Sequence, residues 1–200
     1  MTRKLYLAAA AVALVAIGGG IAALLKEDDG PPRFHDYMVM EAQDYTGLVD
    51  PDQKSVRQSA AKLKTFEEAY GFVRDEVRYA PFLAAGKPAE TLEKRAASCL
   101  GKAALLCSLY RAMGAGPDSV RVVTGIVNTP NGLAEHAWVD MEYKGVCYQQ
   151  DPSGFLGSFE FGEFGGSSFT SRYVFKENLC FNDMEFGVIS QLNRMKTAGR

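Results

Sequence analysis

The chain has 200 residues, with 24 acidic side chains against 22 basic ones and a formal net charge of −2. That slightly negative balance, with no basic cluster anywhere, argues against nucleic acid as a partner. Four cysteines and two histidines fit no zinc-site spacing, so no metal and no cofactor are expected.

In chain order, Met1-Thr-Arg-Lys4 is basic and Leu5 to Leu25 carries no charge. At 1.5 Å per residue, a helix of that length reaches roughly 30 Å, enough to cross a bilayer core. Lys26-Glu-Asp-Asp29 ends the run with net negative charge. Because the basic flank comes first, residues 1–25 read as a single-pass anchor with the rest of the chain extracytoplasmic, in the periplasm or at the cell surface. The competing reading is a cleaved signal sequence, which would leave the protein secreted. Residues 26–53 read as a linker and N-terminal extension, stiffened at Gly30-Pro-Pro32. Residues 54–200 read as one domain.

Within that domain, Lys54 to Lys64 is predicted as a helix with Val56, Ala60 and Leu63 on one side. Thr65-Phe-Glu-Glu68 is a capping box opening a second helix towards Val77. Ser98 is the expected N-cap of a third helix, Cys99 to Met113, which Gly114 stops. That helix is apolar on most faces and is therefore expected to be central and buried. Cys99 falls in its first turn, where unpaired N–H groups and the helix dipole favour negative charge. Cys107, two turns further in, reads as a small core residue.

Strands follow. Val120 to Val127 is rich in β-branched residues. His136 to Tyr143 and Val146 to Gln150 flank Lys144-Gly145, a hairpin turn signal. With that two-residue loop, Tyr143 faces Val146, and counting outward sets Trp138 opposite Asp151. His136 shares a face with Trp138 by the two-residue period. Asp151 then lies diagonal to His136, at roughly 7–8 Å between backbones, a gap that side chains can close. A one-residue slip would put Asp151 on the wrong face.

Gly154 to Phe169 holds five phenylalanines among five glycines. One reading is a twisted strand and loop that buries the rings. The other is a mobile aromatic flap beside the thiol, with Phe155 and Phe159 as possible substrate-groove residues. Trp138 reads first as packing beside the site, with a place in the substrate groove as the second reading. Tyr173-Val-Phe175 and Leu179-Cys-Phe181 read as closing strands, and Asp183 to Met195 as a terminal helix. If Cys99 stays free, at most one disulfide forms among Cys107, Cys147 and Cys180.

A thiol nucleophile on an acyl group needs a base to take its proton and a carboxylate to hold that base. The only histidine besides His136 is His35, in a polar segment near the N-terminus, so the choice of base is nearly forced. These residues also carry a family likeness. From Thr65 to about Asp183 the chain resembles the transglutaminase-like superfamily, thiol acyl-transfer enzymes with a papain-related fold. The matching pieces, in family order, are Phe72-Val-Arg-Asp-Glu-Val-Arg-Tyr79, Ser98-Cys-Leu-Gly-Lys-Ala-Ala-Leu-Leu106, Tyr110-Arg-Ala-Met-Gly114, Val120-Arg-Val-Val-Thr-Gly125, His136-Ala-Trp138 and Asp151-Pro152. The resemblance implies an α+β, papain-like core in which a central helix packs on an antiparallel sheet. It implies Cys99 as nucleophile, His136 as general base and acid, and Asp151 as the orienting carboxylate. Ala97 stands where the family often has glycine, and no glutamine precedes Cys99 to help hold an oxyanion. The Cys99 N–H supplies one oxyanion donor; the second has no candidate in the sequence.

The expected function is that of a membrane-tethered, extracytoplasmic thiol enzyme acting on peptide or protein substrates. It would cleave amide bonds through an acyl-thioester, by hydrolysis rather than crosslinking. The alternative is a non-catalytic peptide-binding or scaffold module that keeps the fold.

Overall fold

Short amphipathic helices surround one long apolar one. The computed structural model describes residues 45–158 and 160–189, within a compact unit that runs from Asp44 to Arg200. Helix α1 (Lys54–Ala60) buries Val56 and Ala60. Helix α2 (Phe66–Glu76) buries Ala69, Tyr70 and Val73. Thr65 caps α2 by accepting from the Glu68 N–H at 3.1 Å. The return bond goes to Lys64, whose N–H donates to the Glu68 carboxylate at 2.7 Å, so the capping box closes one residue upstream of its usual donor. Helix α3 (Pro88–Lys94) has proline in its first turn and ends at Arg95, in left-handed conformation with φ 48°.

Helix α4 (Cys99–Ala112) starts as expected, with the Ser98 side chain accepting from the Gly101 N–H. Gly101 to Tyr110 are all buried, which is what an apolar surface on most faces requires. The helix packs on the sheet on one side and on α1, α2 and α3 on the other. Gly101 is needed for its entry: a Cβ there would lie 2.9 Å from the Ala97 Cβ.

The main sheet has order β5-β4-β3-β6-β7 and is antiparallel throughout. Its strands are β3 (Val120–Thr129), β4 (Gly132–Tyr143), β5 (Val146–Gln150), β6 (Val174–Phe181) and β7 (Phe186–Val188). The β4–β5 hairpin turns at Lys144 and Gly145, with φ of 54° and 75°, the positive pair that a type I′ turn demands. Tyr143 pairs with Val146 and Val139 with Gln150, the register expected from the sequence. A separate parallel pair joins β1 (Arg78–Tyr79) to β2 (Ala96–Ala97), with Tyr79 beside Ala97.

The two sheet faces carry separate cores. Val122, Ala137, Val139 and Met141 face α4 and its neighbours. Val123, Trp138 and Cys180 pack with Leu156, Phe164 and Phe169 on the other side. Phe164 and Phe169 of the Gly/Phe segment are thus buried against a sheet face, as the buried-ring reading expects, whereas Phe155 is exposed; the segment passes into α5 (Ser168–Tyr173). The two closing strands anticipated near its end are one strand, β6. Cys107 is buried as expected, and none of the four cysteines is bridged.

Two expectations are corrected. The helix over Asp183–Met195 gives way at its start to strand β7. Asn182 causes this: its side-chain oxygen accepts from the Met184 and Glu185 N–H groups at 2.8 and 2.9 Å, and its N–H donates to the Glu185 carbonyl. The chain is folded straight back along β6. Residues 190–195 of that expectation lie outside the described residues.

The second correction concerns the membrane. No helix among the described residues is long and apolar enough to cross one. The longest, α4, has 14 residues and rises about 21 Å, against a hydrocarbon core of about 30 Å. Residues 1–25, read as the anchor, lie outside the described residues. The transmembrane helix, the single-pass topology, the membrane as a partner and the extracytoplasmic or secreted location are therefore withdrawn.

Candidate active site

The thiol stands at the N-terminal end of α4. Cys99 is half-buried, and the first N–H groups of the helix have no intrahelical acceptor. His136 comes from the middle of β4. Asp151 follows the last residue of β5. Hairpin register brings these two together: His136 Nε2 lies 3.0 Å from Asp151 Oδ2, with both side chains almost completely buried. The contact is of ion-pair length, although the ring N–H is not aligned on the carboxylate well enough to make a regular hydrogen bond.

Asp151 also organises the loop after it. Its Oδ1 accepts from the Ser153 N–H at 2.9 Å and from the Ser153 hydroxyl at 2.6 Å. Its Oδ2 accepts from the Leu156 N–H at 3.2 Å. Tyr70, reaching up from α2, donates its hydroxyl hydrogen towards the Ser158 carbonyl at 2.8 Å, and the Asp151 carbonyl lies 3.2 Å away. The loop is thereby tied to the helical layer at both ends. It presents Phe155, 46% exposed, with its ring 5.6 Å from the His136 ring and 6.0 Å from the Tyr79 ring.

Charge at the site follows from this packing. Burial is the strongest influence on His136 and opposes its charge. The Asp151 carboxylate and the Cys99 thiol outweigh it and raise the imidazole from 6.5 to about 9. Burial would likewise neutralise Asp151, yet His136 and the two Ser153 donors hold it below the ordinary carboxylate value. The pair therefore rests as imidazolium and carboxylate at neutral pH.

Of the residues singled out as groove candidates, Phe155 is at the surface beside His136. Trp138 is fully buried and packs on Phe169 at 5.5 Å, so it supports the sheet instead of lining a surface. Phe159 lies outside the described residues. One further group is not evident from the sequence. Lys102, one turn after Cys99, is 1% exposed. Its Nζ donates to the Arg74 and Val77 carbonyls at 3.0 and 2.6 Å. Burial pushes it down to about 8, against the pull of Asp151 and Asp75. The signal for it is a cation in the first turns of a helix that is otherwise apolar through Leu109 apart from Ser108. Among the described residues no group of three or more His, Cys, Asp or Glu side chains is placed to hold a metal ion.

A thiol at a helix start, packed against an antiparallel sheet that carries a histidine–carboxylate pair, is the architecture of papain-like, cysteine-dependent enzymes. The family model described as the transglutaminase-like superfamily matches residues 52–151, half of the chain. The chain belongs to that superfamily. Among solved structures it is similar to a candidate cysteine protease from Cytophaga hutchinsonii at 16% identity, with 71% of this chain and 51% of that one covered and a TM-score of 0.47. It thus spans about half the length of that protein. It is also similar to EGTA-treated LapG from Legionella pneumophila at 14% identity, covering 71% of this chain and 87% of that one, again with a TM-score of 0.47. No curated protein matches it.

Proposed function

We propose that the protein is a thiol enzyme that cleaves amide or peptide bonds through an acyl-thioester on Cys99. The observation that carries this reading is the buried His136–Asp151 pair, 3.0 Å apart, next to a half-buried thiol at a helix start. In this scheme the imidazolium and the Cys99 thiolate form the reactive pair. Sulfur attacks the amide carbon, His136 gives its proton to the departing amine, and the acyl group stays on sulfur. His136 then takes a proton from water, and the resulting hydroxide releases the acid and restores the thiolate. Asp151 keeps the ring oriented and its charge balanced. Phe155, exposed beside His136, forms one wall of the substrate groove.

Within this proposal water, not an amine, takes the acyl group from Cys99. The test uses casein as a generic substrate, with a fluorescent primary amine present as the competing acceptor. New amino termini without amine incorporation support hydrolysis, and incorporation supports transfer. In parallel, iodoacetamide at neutral pH should label Cys99 faster than Cys147, the exposed cysteine. Labelling of Cys99 no faster than Cys147, together with inert casein, would favour a non-catalytic module.

A further inference from the structure

A carboxylate can orient an imidazole only if it is itself aimed, because its last torsion is soft. Asp151 is fully buried, and its two oxygens divide the work. Oδ2 faces His136 Nε2 at 3.0 Å and accepts from the Leu156 N–H at 3.2 Å. Oδ1 takes both donors of Ser153, the N–H at 2.9 Å and the hydroxyl at 2.6 Å. The backbone of the Asp151-Pro152-Ser153 turn places the N–H. A hydroxyl, by contrast, rotates to suit its neighbours, and here a neighbour sets it. Its oxygen accepts from the Phe155 N–H at 3.1 Å, which leaves its own hydrogen for Oδ1. The Phe155 ring lies 5.6 Å from the His136 ring. Asp151, His136, Phe155 and Ser153 thus form a closed circuit, with the Ser153 hydroxyl as the link on the far side from the histidine.

We propose that Ser153 is a positioning residue for the acyl transfer, its hydroxyl holding Asp151 Oδ1 so that Oδ2 stays on His136. This rests on the acyl-thioester reading of Cys99, in which His136 carries the proton that the departing amine takes. Ser153 acts through the carboxylate: it keeps an opposite charge in contact with the ring, and that contact favours the imidazolium. Cys99 and Lys102 from α4, Tyr70 from α2 and Tyr79 from β1 also bear on the charge of the pair. All four remain in a Ser153 variant, so a change there reports the hydroxyl.

The test follows the His136 imidazole in the full chain by carbon NMR of histidine-labelled protein, with His136→Ala to assign the signal. The wild-type midpoint should lie at about 9. Ser153→Ala keeps both backbone N–H donors on the carboxylate, so the variant should fold, which its thermal transition checks. Without the hydroxyl, Oδ2 should swing off the ring and the midpoint should fall by roughly one unit. The alkaline limb of casein hydrolysis should fall with it, since the amine leaves with the His136 proton. Ser153→Thr, which keeps a hydroxyl, should restore both. Tyr70→Phe cuts the loop's bond to α2 and leaves the Ser153 contacts alone, so it should titrate like wild type. An unchanged midpoint in Ser153→Ala would overturn the assignment. So would a raised one, in which a poorly solvated carboxylate holds the pair's proton harder. A threonine variant that behaves like alanine, or an equal fall in Tyr70→Phe, would count against it in the same way. Were wild type itself to give no burst of nitrophenolate from 4-nitrophenyl acetate that Cys99→Ala abolishes, the acyl-thioester reading would fail first, and the catalytic purpose of Ser153 with it. A normal burst beside an unchanged Ser153→Ala titration would sink Ser153 alone.

Discussion

At the residue scale, Asp151 has two jobs that a single truncation confuses. It faces His136 and it ties down the loop through Ser153 and Leu156. Asp151→Ala leaves buried donors unpaired, at a cost of about 1–3 kcal/mol for each unsatisfied group. Asp151→Asn keeps the acceptor on one side and removes the charge. In an amidase assay, Cys99→Ala should abolish turnover and His136→Ala should come close, since residues acting as a unit are not additive. Asp151→Asn should cost less, and Cys107→Ala, in a buried core position, should spare chemistry. A folded Cys99→Ala protein with full activity would remove the nucleophile assignment.

The imidazole gives a second prediction at this scale. His136 is raised from 6.5 to about 9, so between those values the folded state binds a proton that the unfolded state has lost. The pair's contribution is complete below pH 6.5 and disappears as pH rises through about 9. At 1.36 kcal/mol per unit, this is roughly 3 kcal/mol. Urea unfolding of wild type should weaken across that window relative to His136→Ala. Parallel curves for the two proteins would show that the pair is not linked to folding. For Asp151 the sign reverses: its contribution is present above the ordinary carboxylate value of 3.8 and is lost as pH falls below it.

At the scale of elements, the sequence is legible where a period and a turn act together. The two-residue alternation and Lys144-Gly145 set the hairpin register, and that register alone puts Asp151 on the face of His136. Ser98 and Gly114 mark the ends of α4 for similar local reasons. The parts that stay hidden depend on partners far along the chain. Nothing around Lys102 says that its ammonium will meet the carbonyls closing α2, and nothing around Tyr70 points to Ser158. The Asn182 turn is masked because its donors sit inside a segment with helical spacing.

Elements also set the costs of mutation. Lys102→Met removes the donor to two buried carbonyls and should destabilise by ~1–3 kcal/mol in thermal or urea unfolding. A neutral result would mean that water replaces the ammonium. Gly125 pairs with His136 across β3 and β4, and a Cβ there would run into the Lys176 carbonyl and come 3.1 Å from the Trp138 ring. Gly125→Ala should therefore destabilise and shift the strand that carries the histidine, lowering activity as well as the thermal midpoint. If Gly125→Ala matched wild type in both, the close approach of β6 would be unimportant.

At the scale of the whole molecule, the fold separates two tasks. The α4 side of the sheet holds the larger core, while the Gly/Phe segment covers the other face and supplies the loop over His136. The site lies where the helix start, the sheet and that loop meet, so each of its three candidate groups comes from a different element. That arrangement predicts a definite chemical product. Wild type should be mixed with 4-nitrophenyl acetate, quenched in acid within the burst, and digested for mass spectrometry. The expected product is an acetyl group on Cys99 as a thioester, released by hydroxylamine and absent from His136→Ala at the same time point. An unmodified Cys99 in folded wild type, or equal acetylation of Cys99 and Cys147, would contradict the acyl-thioester mechanism.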